Sequence, residues 1–260
     1  NYLYKIKNVS VDIAFVMVKA KLALVTGGCG GIGQTTCETL ALEGARVVVA
    51  DINGNAAEEI AKTLPGSNHM GIVLDVTSAD SVDKVFEAIK AKYKSPPTII
   101  INCAGILSYK AFLDETIEIF QTQFDVNVKG TYLVTKAACR EMVSYNLEGS
   151  IINLSSVAAS GVREMASYSL SKGAIKSFSK SIGKEMAQYG IRCNALCPGP
   201  VDTFLLNSIP EEVLLLSTQF NPMKRLGKTQ EVANFILFLA SEKSSYINAA
   251  SLSIDGGLIK

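Results

Sequence analysis

Residues 22–51, LALVTGGCGGIGQTTCETLALEGARVVVAD, decide the fold. The leucine and β-branched run over 22–26 reads as a strand, and a second such run, 46–51, ends on Asp51. Between them apolar residues recur at helical spacing over 32–43, so the order is strand, glycine loop, helix, strand, which is one βαβ unit. In the loop Thr26-Gly27-Gly28-Cys29-Gly30-Gly31-Ile32-Gly33 the glycines let the backbone turn sharply and approach a pyrophosphate closely. The helix N-terminus behind it offers free N–H groups and positive potential. A glycine-rich loop alone is weak evidence. Here it has a strand before it, a helix after it and a carboxylate at the end of the next strand.

That carboxylate, Asp51, stands 18 residues past Gly33, where it can bond both hydroxyls of an adenosine ribose and repel a 2′-phosphate. Neither Ile52 nor Asn53 is basic, and the loop holds no Lys or Arg, so the expected cofactor is NAD(H) rather than NADP(H). The competing reading of Asp51 is an ordinary turn carboxylate.

Outward from this unit the same alternation continues. Strands are expected near 70–75, 98–102, 150–154, 191–196 and 250–254, and helices near 54–63, 79–93, 115–123, 127–146, 165–188, 204–217 and 228–240. Such regularity predicts an α/β fold of Rossmann type: a doubly wound parallel sheet of about seven strands with helices on both faces, in a single domain. Residues 1–16 (NYLYKIKNVSVDIAFV) precede Met17 and read as an extension of unclear origin, poor in arginine for a transit peptide; the domain is expected over 17–260.

Composition narrows the chemistry. The 260 residues are 48% hydrophobic and 19% charged with a formal net charge of +1, which excludes a disordered chain and leaves no electrostatic footprint for nucleic acid. No apolar run reaches the roughly 18 residues that span a bilayer, so a soluble protein without membrane insertion is expected. Six cysteines at 29, 37, 103, 139, 193 and 197 show no C-x-x-C spacing and read as buried thiols of a reducing, intracellular compartment. The single histidine, His69, excludes His-pair metal sites and argues against a Ser-His-Asp triad; no metal is expected.

Something other than histidine must then move protons, and residues 150–172, SIINLSSVAASGVREMASYSLSK, offer it. A strand ends there in Ser155-Ser156. A helix follows on which Tyr168 and Lys172, four apart, share a face. A phenol with an ordinary pKa near ~10 is a poor acid-base group at neutral pH, but an adjacent ammonium favours the phenolate. Further along the cleft, Asp75-Val76 closes the third strand, where carboxylate and backbone can meet an adenine ring. Asn102-Cys103-Ala104-Gly105 closes the fourth with small residues that leave room for a ribose. Asn127 sits at the start of a helix and is locally as good an N-cap as a site residue.

In this order and spacing the motifs resemble the short-chain dehydrogenase/reductase family over residues 20–258. They are T-G-x-x-x-G-x-G at Thr26 to Gly33, Asp75, N-x-A-G at Asn102 to Gly105, Asn127, the strand-end serine, Tyr168-x-x-x-Lys172, and Pro198-Gly199 followed by Thr203. The resemblance implies a catalytic set of Asn127, Ser156, Tyr168 and Lys172. Tyr168 would exchange the proton with the substrate oxygen, Ser156 would hydrogen-bond that oxygen, Lys172 would depress the tyrosine pKa and bond the nicotinamide ribose, and Asn127 would hold a relay water. It implies a cofactor lined by Gly27, Cys29, Gly30, Gly31, Ile32, Gly33, Asp51, Ile52, Asp75, Val76, Asn102, Ala104 and Gly105, then by Tyr168, Lys172, Pro198, Gly199, Val201 and Thr203. Family spacing to the tyrosine selects Ser155; the strand-end pattern I-N-x-S-S-V selects Ser156, which strand register favours.

Within the family the chain is most similar to the branch of estradiol 17-beta-dehydrogenase type 8 and the 3-oxoacyl-(acyl-carrier-protein) reductases. That branch implies an NAD(H)-dependent oxidoreductase interconverting a secondary alcohol and a ketone on an apolar substrate, a 3-oxoacyl/3-hydroxyacyl thioester or a 17-hydroxysteroid. The leucine-rich segment 203–223 would be its lid. A homotetramer is implied, or a heterotetramer with a related reductase in which this chain mainly holds cofactor, in the mitochondrial matrix or alternatively the cytoplasm. One departure is SGVREMA at 160–166, where a charged pair and a methionine replace a Gly- and Pro-containing segment; Gly149, Arg163 and Met165 are placed to shape the pocket.

Overall fold

A computed structural model describes residues 18–259; the expected extension at 1–16, and Met17, lie outside the described residues. The chain alternates strand and helix: β1 (Leu22–Thr26), α1 (Gly31–Leu42), β2 (Arg46–Asp51), α2 (Gly54–Thr63), β3 (Met70–Val73), α3 (Ala79–Tyr93) and β4 (Ile99–Asn102). Then follow α4 (Ile117–Phe124), α5 (Thr131–Ser144), β5 (Gly149–Leu154), α6 (Ala166–Met186), β6 (Ile191–Pro198), α7 (Glu211–Phe220), α8 (Thr229–Ala240) and β7 (Ser251–Ile254). All neighbours pair in parallel in the order β3-β2-β1-β4-β5-β6-β7. This is the expected seven-stranded, doubly wound sheet. The order reverses between β1 and β4, and a crevice opens outside the carboxyl ends of the strands at such a switch point.

Two-residue periodicity divides the core. Ala23, Val25, Val47, Val49, Ile99 and Ile101 pack with Cys37 and Leu40 of α1 and Val232 and Ile236 of α8. Leu22, Leu24, Val48, Ile100 and Ile151 face the other way, onto Val82, Val85 and Phe86 of α3 and Val134 and Met142 of α5. Burial on both faces explains why the strands read as unbroken apolar runs. Among the described residues no helix is long and apolar enough to cross a membrane.

One polar row interrupts the second face. Asn102 on β4 and Asn153 on β5 are direct cross-strand partners. The Asn102 amide donates to Asn153 Oδ1 at 2.8 Å and to Thr135 Oγ1 of α5 at 2.9 Å, and Asn153 Nδ2 donates to Ser179 Oγ of α6 at 2.9 Å. These residues are buried. The row ties both helices to the centre of the sheet, although Asn102 Oδ1 itself has no partner.

The structure departs from the sequence expectation at four places. β3 ends at Val73 rather than 75, because the Asp75 carboxylate turns back to accept from Thr77 N at 2.9 Å and Thr77 Oγ1 at 2.7 Å and starts a turn. The helix expected over 127–146 does not begin at Asn127: α4 runs into α5 through a π-helical turn, Asp125–Gly130, so Asn127 is internal and caps nothing. The helix expected over 204–217 is a 3₁₀ turn, Phe204–Ser208, and then α7, split because Pro210 holds Ile209 in an extended conformation. Gly149 lies at the amino end of β5, its Cα against Met142 and Thr98, at the opposite end of the sheet from the candidate site.

Candidate active site

At the switch point a cleft of two lobes opens. The larger, about 430 Å³, is lined by Gly27, Gly30, Gly31, Ile32 and Gly33 of the loop, by Asp51 and Ile52, by Asp75 and Val76, and by Ala104, Gly105 and Thr203. The loop is built for close approach: a Cβ on Gly33 would fall 2.1 Å from the Gly27 carbonyl oxygen, so no residue with a side chain fits at that position of α1. Asp51 is held ready by two backbone donors, Cys29 N to Oδ2 at 3.0 Å and Asn53 N to Oδ1 at 3.1 Å. An elongated cavity with a side-chain-free cradle at a helix N-terminus and an oriented carboxylate at the far strand fits a dinucleotide.

Two of the expected cofactor contacts line neither this lobe nor the smaller one beside it. Cys29 is absent from the lining, and its amide, the group a phosphate would use, is taken by Asp51. Asn102 is turned away into the buried polar row, because it shares the strand face of Ile100, which α5 covers.

The smaller lobe, about 220 Å³, carries Ser156, Tyr168 and Lys172 together with Pro198, Gly199 and Val201. Its remaining wall is apolar, with Ala158, Met165, Leu206, Ile209 and Val213 among the lining residues. Ile32, Cys103, Gly105, Thr203 and Leu205 line both lobes, so the two are one continuous cleft. Leu74, Thr77, Ile106 and Val126 line the larger lobe without having been singled out in the sequence; Cys103, within the strand-end segment expected to leave room for a ribose, lines both lobes, as the alternation of β4 requires, since the residue after Asn102 must face the other way.

Both serines line this lobe, and their hydrogen bonds distinguish them. Ser155 is buried, and its hydroxyl donates to the Lys172 carbonyl oxygen at 2.7 Å, facing the body of α6. Ser156 accepts from Ala158 N at 3.1 Å and stands beside the Tyr168 phenol, to which it offers hydrogen bonding. Lys172 Nζ donates to Leu154 O at 2.7 Å and lies 5.6 Å from the Tyr168 ring centre. Asn127 reaches the same place from the π-helical turn: Oδ1 accepts from Ile106 N at 2.8 Å, and Nδ2 donates to Ile106 O at 2.9 Å and to Ser171 Oγ at 3.1 Å. A Cβ on Gly105 would fall 3.3 Å from Asn127 Oδ1 and 3.4 Å from Lys172 Nζ, so both groups close on that glycine at the junction of the lobes. Asn127 itself lines neither lobe.

Burial, more than pairing, sets the electrostatics. Tyr168 is pushed up to about 12 by desolvation, against the lowering influence of Ser156. Desolvation brings Lys172 down to about 8. The depressed phenol expected from the sequence is therefore not found: at neutral pH Tyr168 is a protonated donor, and the amine stands close to its titration point. Among the described residues no three His, Cys, Asp or Glu side chains gather as metal ligands.

Sheet order, glycine cradle, the oriented Asp51 carboxylate and an adjoining Ser-Tyr-Lys lobe define the class, an α/β oxidoreductase with a dinucleotide crevice. The family described as enoyl-(acyl carrier protein) reductase matches residues 27–259. The chain is 36% identical over 251 residues to (3R)-3-hydroxyacyl-CoA dehydrogenase of Homo sapiens, covering 93% of this chain and 96% of the relative. It is 33% identical over 247 residues to 3-oxoacyl-[acyl-carrier-protein] reductase FabG of Aquifex aeolicus, covering 94% and 99%. A solved short-chain type dehydrogenase/reductase from Mycobacterium marinum superposes with a TM-score of 0.88 at 32% identity, covering 94% of this chain and 97% of that one. The protein belongs to the short-chain dehydrogenase/reductase family, whose members bind a nicotinamide cofactor.

Proposed function

We propose that this protein is an NAD(H)-dependent oxidoreductase that interconverts a 3-hydroxyacyl and a 3-oxoacyl thioester. The observation that carries the reading is the apolar lobe holding Ser156, Tyr168 and Lys172, joined through Gly105 and Cys103 to the lobe that holds Asp51. When bound, the nicotinamide cofactor supplies or accepts the hydride. The glycine loop would hold its pyrophosphate and Asp51 its adenosine ribose, and the carboxylate, with no basic neighbour, favours a free ribose 2′-hydroxyl over a phosphate.

In the reducing direction Tyr168, protonated at neutral pH, donates to the carbonyl oxygen while Ser156 hydrogen-bonds it and holds it in place. Lys172 at the junction donates to the nicotinamide ribose and supplies the positive charge that the phenolate needs once its proton has left. Asn127 anchors the Ile106 backbone and Ser171 beside that pair. Apolar walls exclude water from the reacting carbon. A 3-hydroxyacyl-CoA dehydrogenase and a 3-oxoacyl-[acyl-carrier-protein] reductase among the relatives support a thioester over a sugar.

The test is NADH oxidation by the purified chain with acetoacetyl-CoA, with wild type and Tyr168→Phe side by side. The variant is expected to lose about 10²- to 10⁴-fold in kcat/KM. Unchanged turnover in Tyr168→Phe would overturn the assignment.

A further inference from the structure

The charged pair and methionine at 163–165, unusual in sequence, are part of a clamp across the apolar lobe. Glu164 has φ +62, a left-handed conformation that residues with side chains adopt only where their surroundings hold it. Three bonds do so. Its carbonyl oxygen accepts from Lys110 N at 2.7 Å, and its carboxylate accepts from the Tyr109 hydroxyl. Three residues on, Ser167 Oγ donates to Glu115 Oε2 at 2.6 Å, so the segment 109–115 is stapled to the start of α6 at both ends. Arg163 only brushes the same carboxylate from the surface, 3.6 Å away and 91% exposed, and adds little.

What the clamp joins gives it a purpose. Met165, next to Glu164, and Leu107, two residues before Tyr109, both line the smaller lobe. The Tyr109 ring packs against the cluster of Ala158, Met165, Tyr168 and Ile209, and Leu206, Val213 and Leu214 of the segment over the lobe pack on the same cluster. Holding Tyr109 to Glu164 thus sets how far apart the Leu107 and Met165 walls stand. The space they leave, about 220 Å³, is below the roughly 300–1,000 Å³ of sites that enclose drug-sized ligands. That space is small for a rigid four-ring ketone, whereas a short linear chain fits it.

From these contacts we infer that Glu164 is a specificity-determining residue: its bonds to Tyr109 and Lys110 hold the apolar lobe narrow and restrict the enzyme to short acyl chains. This rests on the thioester reading above. It also removes the steroid ketone from the two substrates that the sequence leaves tied.

The experiment compares kcat/KM for NADH-dependent reduction of acetoacetyl-CoA, 3-oxododecanoyl-CoA and estrone. Wild type is set beside Glu164→Gly, which keeps the backbone conformation but loses the carboxylate, Tyr109→Phe, which keeps the ring but loses the hydroxyl, and Glu164→Gln, which keeps an acceptor for that hydroxyl. Wild type is expected to favour acetoacetyl-CoA and to leave estrone unreduced. In Glu164→Gly and Tyr109→Phe the ratio of long-chain to short-chain kcat/KM is expected to rise about tenfold, and in Glu164→Gln to stay at the wild-type value. Being a ratio within one variant, it is insensitive to the fraction of folded protein. A ratio unmoved in both opening variants, with acetoacetyl-CoA still reduced, overturns the clamp and leaves the thioester reading standing. Wild-type preference for 3-oxododecanoyl-CoA or estrone overturns the clamp as well. Reduction of no thioester at all overturns both readings.

Discussion

Replacing Lys172 with methionine is expected to stabilise the fold at neutral pH while it disables the site. The amine is fully buried, holds one hydrogen bond, 2.7 Å to Leu154 O, and titrates at about 8 where an exposed lysine would titrate at 10.5. At about 1.4 kcal/mol per pH unit, carrying the charge in the folded chain costs about 3 kcal/mol more than in the unfolded one. The bond to Leu154 offsets about 1 kcal/mol of this. Lys172→Met, similar in length and free of charge, should therefore gain about 2 kcal/mol at pH 7, which for a chain of this size raises Tm by about 4–8 °C. Since the folded-state value lies below the unfolded one, the unfolded chain binds more protons between about pH 8 and 10.5, and wild-type stability rises across that window. The methionine variant has no such rise, so its advantage should shrink toward zero by about pH 9.5. Tyr168, raised to about 12, acts in the other direction only above the ordinary tyrosine value of 10.0: its contribution is complete below that pH and is lost as pH climbs toward 12. Urea unfolding of both proteins at pH 7 and about pH 9.5 measures the difference. A Lys172→Met protein less stable than wild type at pH 7 would refute the reasoning.

Other expectations follow from single contacts. Ser156→Ala should lower kcat/KM about 10- to 100-fold with little change in Tm, whereas Ser155→Ala, which removes a buried donor to Lys172 O, should cost about 1–2 kcal/mol in urea unfolding and less in rate; the reverse pattern would exchange their roles. Asp51→Ser should weaken NADH binding about 10- to 100-fold by fluorescence titration and narrow the gap to NADPH. A wild-type protein that already prefers NADPH would contradict that use of the carboxylate. Gly33→Ala should abolish NADH binding in the same titration, because its Cβ would meet the Gly27 carbonyl oxygen at 2.1 Å.

The strand-loop-helix-strand unit at 22–51 was legible because every signal in it is local: apolar spacing, glycines and a strand-end acid. The start of α2 and of α3 could be read for the same reason, with Asn53 and Ser78 capping through their own side chains. The π-helical turn at 125–130 could not be, since nothing in DVNVKG distinguishes an extra residue inside a helix from the start of a new one. The fate of the Cys29 amide depends on Asp51 arriving from another strand, which spacing does not reveal. Asn102 is different, because counting alternation along β4 places it with Ile100 under α5 and away from the cleft. The pKa of Tyr168 was misjudged because Y-x-x-x-K displays the ammonium but not the depth of burial, and depth dominates.

The buried row Thr135, Asn102, Asn153 and Ser179 acts as a proofreading device for assembly. Apolar side chains on neighbouring strands are nearly interchangeable in water-excluding terms, so Ile-rich strands such as β4 and β5 would tolerate a slip against one another at small loss. A slip by one residue turns the asparagine of the slipped strand to the opposite face, among residues such as Val25, Ile101 and Leu196, and leaves the other asparagine without its cross-strand partner. At about 1–3 kcal/mol for each buried polar group left unsatisfied, the misaligned sheet forfeits a sizeable part of a domain's net stability once the helices cover its faces. The row therefore selects the one alignment that also brings the ends of β4 and β5 level, and with them Gly105, Ser156 and the turn of α6 that carries Tyr168 and Lys172.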